Sequence, residues 1–384
     1  MKKILILLVL CHFIQACTKV EDYVLGKDNT PKPSPLAEIT PKIDLVRKWS
    51  APVGQSHKNS AYLKLKPVIK GQTIYTTDIN GQVQAMNKSS AQIQWSTKLK
   101  NKIISGPTVA EKVVAVTTDA STLVLLDSSN GKELWEKKVS GEILAKPLIN
   151  RDKIIVKTID GNLYAFNLLN GQIIWEVNHG APNLILKAGS SPVLMEDKVL
   201  VGYSDGKIDV VDLQTGRLLW QRNIVYPSGA SDVERLVDID ADPIVRGDTV
   251  YLATYQGYVG GLSLKDGQFI WSKPSSVYKN IILNKNTLYL TDSDDVIWAI
   301  NADNGLVKWK QTDLKARGLT EPAVMGHRLI VGDKTGLLHV LSTSTGEFLA
   351  RTQLSGPITI SPVIDDKKLY VQTANGLLNQ LLVS

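Results

Sequence analysis

The sequence predicts an all-β chain: an eight-bladed propeller of four-stranded antiparallel blades, its ring closed by joining the N- and C-terminal strands. Three observations lead there. Short apolar runs alternate with Asp-Gly and Asn-Gly turns, Pro, Gly and Trp recur at a fixed spacing, and the last repeat lacks a strand that the start of the chain supplies. The repeat is clearest from Pro147 to Trp175, PLINRDKIIVKTIDGNLYAFNLLNGQIIW. Its four runs are short and rich in Ile, Val, Leu and Tyr, as strands are. Asp160-Gly161 and Asn170-Gly171 mark tight turns, because glycine accepts positive φ.

Anchored on a proline, the landmarks fall 14, 24 and 28 residues later. Pro107 leads to Gly131 and Trp135, Pro192 to Gly206, Gly216 and Trp220, and Pro243 to Gly257, Gly267 and Trp271. Pro67 leads to Gly81, Ala91 and Trp95. Ile281 stands in for a proline ahead of Gly305 and Trp309, and Ala350 stands in for the tryptophan after Pro322. Copies begin 38 to 51 residues apart, the range of propeller blades. The copy from Pro362 ends at Ser384 before its fourth strand, and Leu45-Val-Arg-Lys-Trp49 matches such a strand without a blade of its own. Joining the two removes a free sheet edge.

The start of the chain has a different character. Lys2-Lys3, the apolar run Ile4 to Leu10 and Ala16 before Cys17 make residues 1–16 a secretory signal peptide. The run is too short to span a bilayer. Ile14-Gln15-Ala16-Cys17 resembles a bacterial lipobox, although Gln15 is bulkier and more polar than the pattern prefers. The resemblance implies lipidation of Cys17 and, with Thr18 rather than Asp after it, the periplasmic side of the outer membrane. Residues 17–44 carry Pro31, Pro33, Pro35 and Pro41 without apolar periodicity and read as the lipidated cysteine and a flexible linker. Residues 45–384 form the propeller.

Within the blades a small residue is followed by Asx two positions on, Gly six on and Trp ten on, as in Ala165, Asn167, Gly171 and Trp175. This pattern resembles the tryptophan-docking motif of quinoprotein (PQQ-like) propellers. Physically it is a packing device. The indole buries a large ring between blades, and the Asx side chain bonds turn amides.

Composition and motifs exclude most chemistry. The two cysteines, Cys11 and Cys17, lie in the first 17 residues, so the body has neither a disulfide nor a cysteine nucleophile. Net charge is +7, without the Lys/Arg block of a nucleic-acid stripe. No serine elbow, phosphate loop or HExxH is present. His57, His179, His327 and His339 are not at metal-ligand spacing. Asp238-x-Asp240-x-Asp242 raises calcium, but Pro243 and Thr249 stand where an EF-type loop needs Gly and Glu. No catalytic residue, metal or cofactor is therefore expected. The alternative, a PQQ-dependent dehydrogenase, resembles the repeat but carries a vicinal cysteine pair that this body lacks.

The positive signal is loop length. Trp to the next Pro takes 12 residues after Trp95 and after Trp135, but 17 after Trp175 and 23 after Trp220. Two neighbouring connectors are enlarged, and extra loop on one rim of a rigid scaffold is where binding groups sit. Leader, lipobox, linker and repeat together resemble the BamB family, lipoproteins of the outer-membrane β-barrel assembly (BAM) machinery. Leu184-Ile-Leu-Lys-Ala-Gly-Ser-Ser-Pro192 and Glu234-Arg-Leu-Val-Asp-Ile-Asp-Ala-Asp-Pro243 resemble that family's partner-binding connectors, with Lys187 for the family's Arg and Ala188 for its Gly. The resemblance implies that Leu184, Leu186, Lys187, Asp238 and Asp240 bind BamA through its POTRA domains, alongside other BAM subunits. It also leaves unfolded outer-membrane clients as a further partner class. If the Leu-x-Leu segment is a strand, its two leucines share a face.

Overall fold

The computed structural model describes residues 31–56, 63–182, 184–186, 189–231 and 234–384. Strand β1 (Leu45–Pro52) comes first. Blades one to seven follow as β2–β5 over 68–98, β6–β9 over 103–138, β10–β13 over 148–178, β14–β17 over 193–223, β18–β21 over 244–275, β22–β25 over 282–311 and β26–β29 over 323–353. Strands β30–β32, over 363–383, complete an eighth blade with β1, which pairs antiparallel with β32 from Leu45 opposite Val383 to Pro52 opposite Leu377. Among the described residues this is a closed propeller of eight four-stranded antiparallel blades, as the repeat predicts.

Each blade's first strand faces the axis, where it meets the first strand of a neighbour. The middle two strands are buried on both faces, as in β11 (Lys153–Lys157) and β12 (Asn162–Asn167). The outer strand exposes nearly everything except its tryptophan, as in β13 (Ile173–Asn178) around Trp175. The Asx residues behave as expected: Asn167 Oδ1 accepts the Leu169 N–H at 2.9 Å, and Asp212 Oδ1 that of Thr215 at 2.8 Å.

The tryptophans join blades. Trp95 donates its indole N–H to Ser128 O of the next blade at 2.9 Å, Trp135 to Leu168 O at 3.0 Å and Trp175 to Leu213 O at 3.1 Å. Trp271 and Trp309 do the same to Ala302 O and Thr343 O at 2.7 and 3.0 Å. Each acceptor lies 21 residues after its blade's anchor position. The ring lies against the next blade's turn glycine. At Gly216, φ is +70° and a Cβ would sit 2.7 Å from the Trp175 ring, so both backbone and space demand glycine.

The closing joint differs. Trp49 pairs opposite Gln380, where the other outer-strand tryptophans face glycine or an apolar residue such as Ala165 or Leu125. The Gln380 amide donates to Lys88 O at 3.0 Å, the carbonyl an indole would otherwise take. The Trp49 indole nitrogen is left buried without a partner, although its ring packs on Tyr370 at 6.0 Å.

The N-terminal segment corrects the expected linker. From Pro31 to Asp44 the chain lies against the propeller. Ser34 N–H donates to Lys315 O at 2.9 Å and Lys42 N–H to Leu349 O at 2.7 Å. The Arg317 and Arg351 guanidiniums donate to Ser34 O and Ala37 O. Ile43 and Leu45 pack into the cluster that holds Ala350 and Val383, the place a tryptophan at position 350 would fill. Proline-rich composition predicts a free chain, but Leu36 and Ile43 have buried sites waiting for them. The leader, Cys17 and the linker up to Thr30 lie outside the described residues.

The two kinds of joint should respond differently to loss of the indole N–H. Trp175→Phe forfeits a made hydrogen bond and should cost about 1 kcal/mol. Trp49→Phe removes an unpartnered donor and should be neutral or slightly stabilising. Urea midpoints of the two variants check this; an equal loss in both would mean that Trp49 is bonded as the others are.

Candidate functional site

The two enlarged connectors run from β13 to β14 and from β17 to β18, on the face where each outer strand returns to the next inner strand. Both begin by capping a turn: His179 N–H donates to Gly161 O at 2.9 Å and Ile224 N–H to Gly206 O at 2.8 Å. His179 then clamps the first connector to the next blade. Its Nδ1 is 2.7 Å from Asp209 Oδ2, its Nε2 is 3.1 Å from Asp205 Oδ2, and its ring stacks on Tyr203 at 3.7 Å. Burial alone would lower its pKa. The bonds to Asp205 and Asp209 outweigh burial and raise it to about 9, so the ring is a cation at neutral pH.

Past this clamp the described residues of the first connector form no strand, so Leu184 and Leu186 do not share a sheet face. Leu184 is 43% exposed, whereas Leu186 is half-buried. The Leu186 N–H donates to Asp238 Oδ2 at 2.7 Å, which ties the first connector to the second. Lys187, and Ala188 beside it, lie outside the described residues.

The second connector ends in an extended run whose side chains alternate. Val237 and Ile239 enter the core shared by blades four and five. Asp238, Asp240 and Asp242 turn the other way, as their shared parity predicts. That direction leads inward: Asp238 and Asp240 are 0% and 1% exposed. Sequence parity groups the aspartates without saying which side is buried. Here the apolar residues take the interblade core, and the carboxylates take the channel. Expected as charges offered to a partner, Asp238 and Asp240 instead lie beneath the connectors, where Asp238 positions Leu186.

Their environment is unusual. Asp238 Oδ1 and both oxygens of Asp240 are buried without a hydrogen-bond partner among the described residues. Burial and the neighbouring Asp240 carboxylate push Asp238 up to about 8, against the Leu186 N–H and the charge of Lys157. Burial raises Asp240 to about 7, against Lys157 and Lys64. Lys157, at the end of β11, donates to Gly202 O at 2.5 Å in the next blade. Burial, helped by repulsion from Lys64, lowers it to about 8 against the three aspartates. Lys64 in turn pairs with Asp242 at 2.5 Å. Carboxyl and ammonium groups thus lie together between the connectors and the axis.

Two features of this face escape sequence reasoning. Tyr226, 72% exposed, projects from the second connector just before Pro227; its one signal is an aromatic residue entering a turn. Lys157 has none, because only the ring brings it to Asp240. Among the described residues no group of His, Cys, Asp and Glu could hold a metal ion, and no helix is long and apolar enough to cross a membrane.

A family profile described as outer membrane protein assembly factor BamB matches residues 47–121, 80–311 and 309–382. The chain is 60% identical to the outer membrane protein assembly factor BamB of Legionella pneumophila over 384 residues, all of both chains. It is 33% identical to the Escherichia coli protein of that name over 156 residues, 40% of each chain. The crystal structure of BamB from Moraxella catarrhalis superposes with a TM-score of 0.79 at 26% identity, covering 88% of this chain and 100% of that one. A europium-containing methanol dehydrogenase superposes at 0.72 with 15% identity, over 88% of this chain and 93% of the enzyme, which shows a shared fold alone.

The buried carboxylates make a pH prediction. Asp238 and Asp240 hold their protons more tightly folded than unfolded. Their stabilisation is therefore fully present below about pH 4 and is lost as pH rises through about 7 to 8. Asp240→Asn cannot ionise, so its melting temperature should fall less than that of the wild type between about pH 5 and 8. Parallel melting curves for the two proteins would show that the carboxylates are ionised at no cost.

Proposed function

Because this chain belongs to the BamB family of outer membrane protein assembly factors, we propose that its connector face binds the POTRA domains of BamA in the periplasm. Family membership makes it an outer-membrane protein assembly factor of the BAM complex, associated with the outer membrane. It works by binding rather than by catalysis. The contact itself is our reading. The observation that carries it is Leu184, left exposed on a connector whose next turn is fixed by the Leu186–Asp238 bond.

That arrangement suits a docking site. An exposed leucine on a connector pinned at both ends, by His179 and by Leu186, loses little conformational freedom on binding. Tyr226 offers a second, aromatic anchor on the neighbouring connector. Apolar and aromatic anchors on a rigid base are the usual anatomy of a hot spot. Leu186 and Asp238 act from beneath by holding Leu184 in place, and Asp240 acts through Lys157. Lys187, between Leu186 and the buried Ser190, is assigned a rim contact by its sequence position alone.

Leu184→Ala and Tyr226→Ala should leave the melting temperature unchanged, because both side chains are exposed. Leu184→Ala should weaken binding to isolated BamA POTRA domains by about 2 kcal/mol or more. Asp238→Ala should also weaken it, through loosening of the connector. The salt dependence should stay as in wild type, because a buried carboxylate is not a rim charge. Calorimetry at two salt concentrations reads both quantities. Folded Leu184, Tyr226 and Asp238 variants that all bind like wild type would remove the site.

The membrane attachment is proposed to run through acylated Cys17. Several acyl chains, at about 0.8 kcal/mol per buried CH₂, anchor firmly. Cys17→Ala should move the protein from the membrane pellet to the soluble fraction. Unchanged sedimentation, with no acyl mass on the mature N-terminus, would refute the anchor.

A further inference from the structure

In six of the blades the residue just before the anchor position faces a common space at the axis. These residues are Lys66, Lys146, Asp242, Asn280, Glu321 and Ser361, and together they line one cavity of about 330 Å³. Lys64, two residues before Lys66, reaches the same space. The volume falls within the range of small-molecule sites. Its walls are mixed: Leu63, Ile244, Ile282 and Ile360 give apolar surface between the charged groups.

The charges do not cancel. Lys64 is paired with Asp242 at 2.5 Å and Lys66 with Glu321 at 3.2 Å. Asp242 is further occupied by the Ser191 N–H at 2.6 Å and the Asn280 amide at 3.1 Å. Lys146 has its backbone N–H bonded to Ser191 Oγ, but its ammonium has no hydrogen bond or ion pair among the described residues. Three lysines therefore share the cavity with two carboxylates that are already committed. Lys146 is half-buried in the cavity wall; a partly desolvated ammonium without a partner carries a cost that an entering anion relieves.

We propose that this axial cavity is a binding site for a small organic anion, a carboxylate on an apolar body, with the Lys146 ammonium as its partner. The isoleucine walls receive the body, and Lys64 and Lys66 add long-range attraction while staying in their own pairs. A compact inorganic anion would meet the ammonium but leave those walls unfilled. Lys146 itself is held to about 8, by burial first and then by repulsion from Lys66, against Asp242 and Glu321. Binding should therefore weaken as pH rises through about 8 and the ammonium is lost.

The test uses the full chain in detergent, with benzoate as the probe, inorganic phosphate as the compact anion and benzamide as the neutral isostere. Melting is followed at constant ionic strength, and saturation-transfer NMR on the benzoate ring gives a direct reading. Benzoate should raise the melting temperature saturably, since a ligand of the folded state stabilises by mass action. Phosphate should do less and benzamide nothing. Lys146→Met should weaken benzoate at least about tenfold, the loss of one charged hydrogen bond, without lowering the basal melting temperature. Lys146→Arg should retain binding. Should Lys146→Met fail to fold, Lys146→Gln carries the same comparison. The proposal is overturned by the absence of a saturable benzoate effect, by an equal effect of benzamide or phosphate, or by undiminished binding in the charge-removing variant.

Discussion

The ring stands on one contact repeated around it, an indole docked on the next blade. A blade alone is a four-stranded sheet with two apolar faces and cannot bury them. The indole spans the seam, covers the neighbour's turn glycine and donates to a carbonyl 21 residues into that blade's repeat. Packing of so large a ring contributes most of the energy; the hydrogen bond adds about 1 kcal/mol and fixes the angle. Apart from the ion pairs that cross the axis, each blade packs on its neighbours, so stability is set largely joint by joint. A single weak joint can open the ring, which is why the last blade borrows β1 and closes.

The same rigidity permits the charges near the axis. Buried ions are stabilised only when partners are held in good geometry, and a closed ring of sheets supplies that geometry. Lys157 belongs to one blade, bonds a carbonyl of the next and faces aspartates that lead into a third. Asp238 turns one end of this chain of charges to the Leu186 amide. The connector is thus positioned from below by buried groups, and Leu184 is left exposed on it.

How much of this was legible follows from what each feature depends on. The blades, their turns, the closing strand and the docking tryptophans depend on spacing along the chain, and spacing is written in the sequence. The match of Gly216 to the Trp175 ring is of that kind. Asp238 and Asp240 are half legible: parity places them together, but only the fold shows that their side faces inward. The enlarged connectors were visible as extra residues, whereas Tyr226 was one aromatic among many. The lysine at 146 could not be valued from sequence. Its meaning arises when six positions, one from each of six blades, meet at the axis. The linker misled for a related reason. Composition sees prolines, while the places for Leu36 beside Leu314 and Leu319, and for Ile43 beside the small Ala350, exist only in the fold.

That last exchange has a mechanical consequence. With 31–44 laid on the propeller, a tether from Cys17, as proposed above, would be left only the stretch ending at Thr30. Fully extended, so few residues reach no more than about 50 Å. The chain joins the body at Pro31, beside Lys279 and Gly318, and Ser34 is held by Lys315 and Arg317. These belong to connectors, so the tether leaves from the connector face. An anchor at Cys17 would then draw toward the lipid the same face that carries Leu184 and Tyr226. A partner standing at the membrane would then meet that face without the body having to turn. Position and orientation would follow from one strip of chain that fills the seam a missing tryptophan leaves.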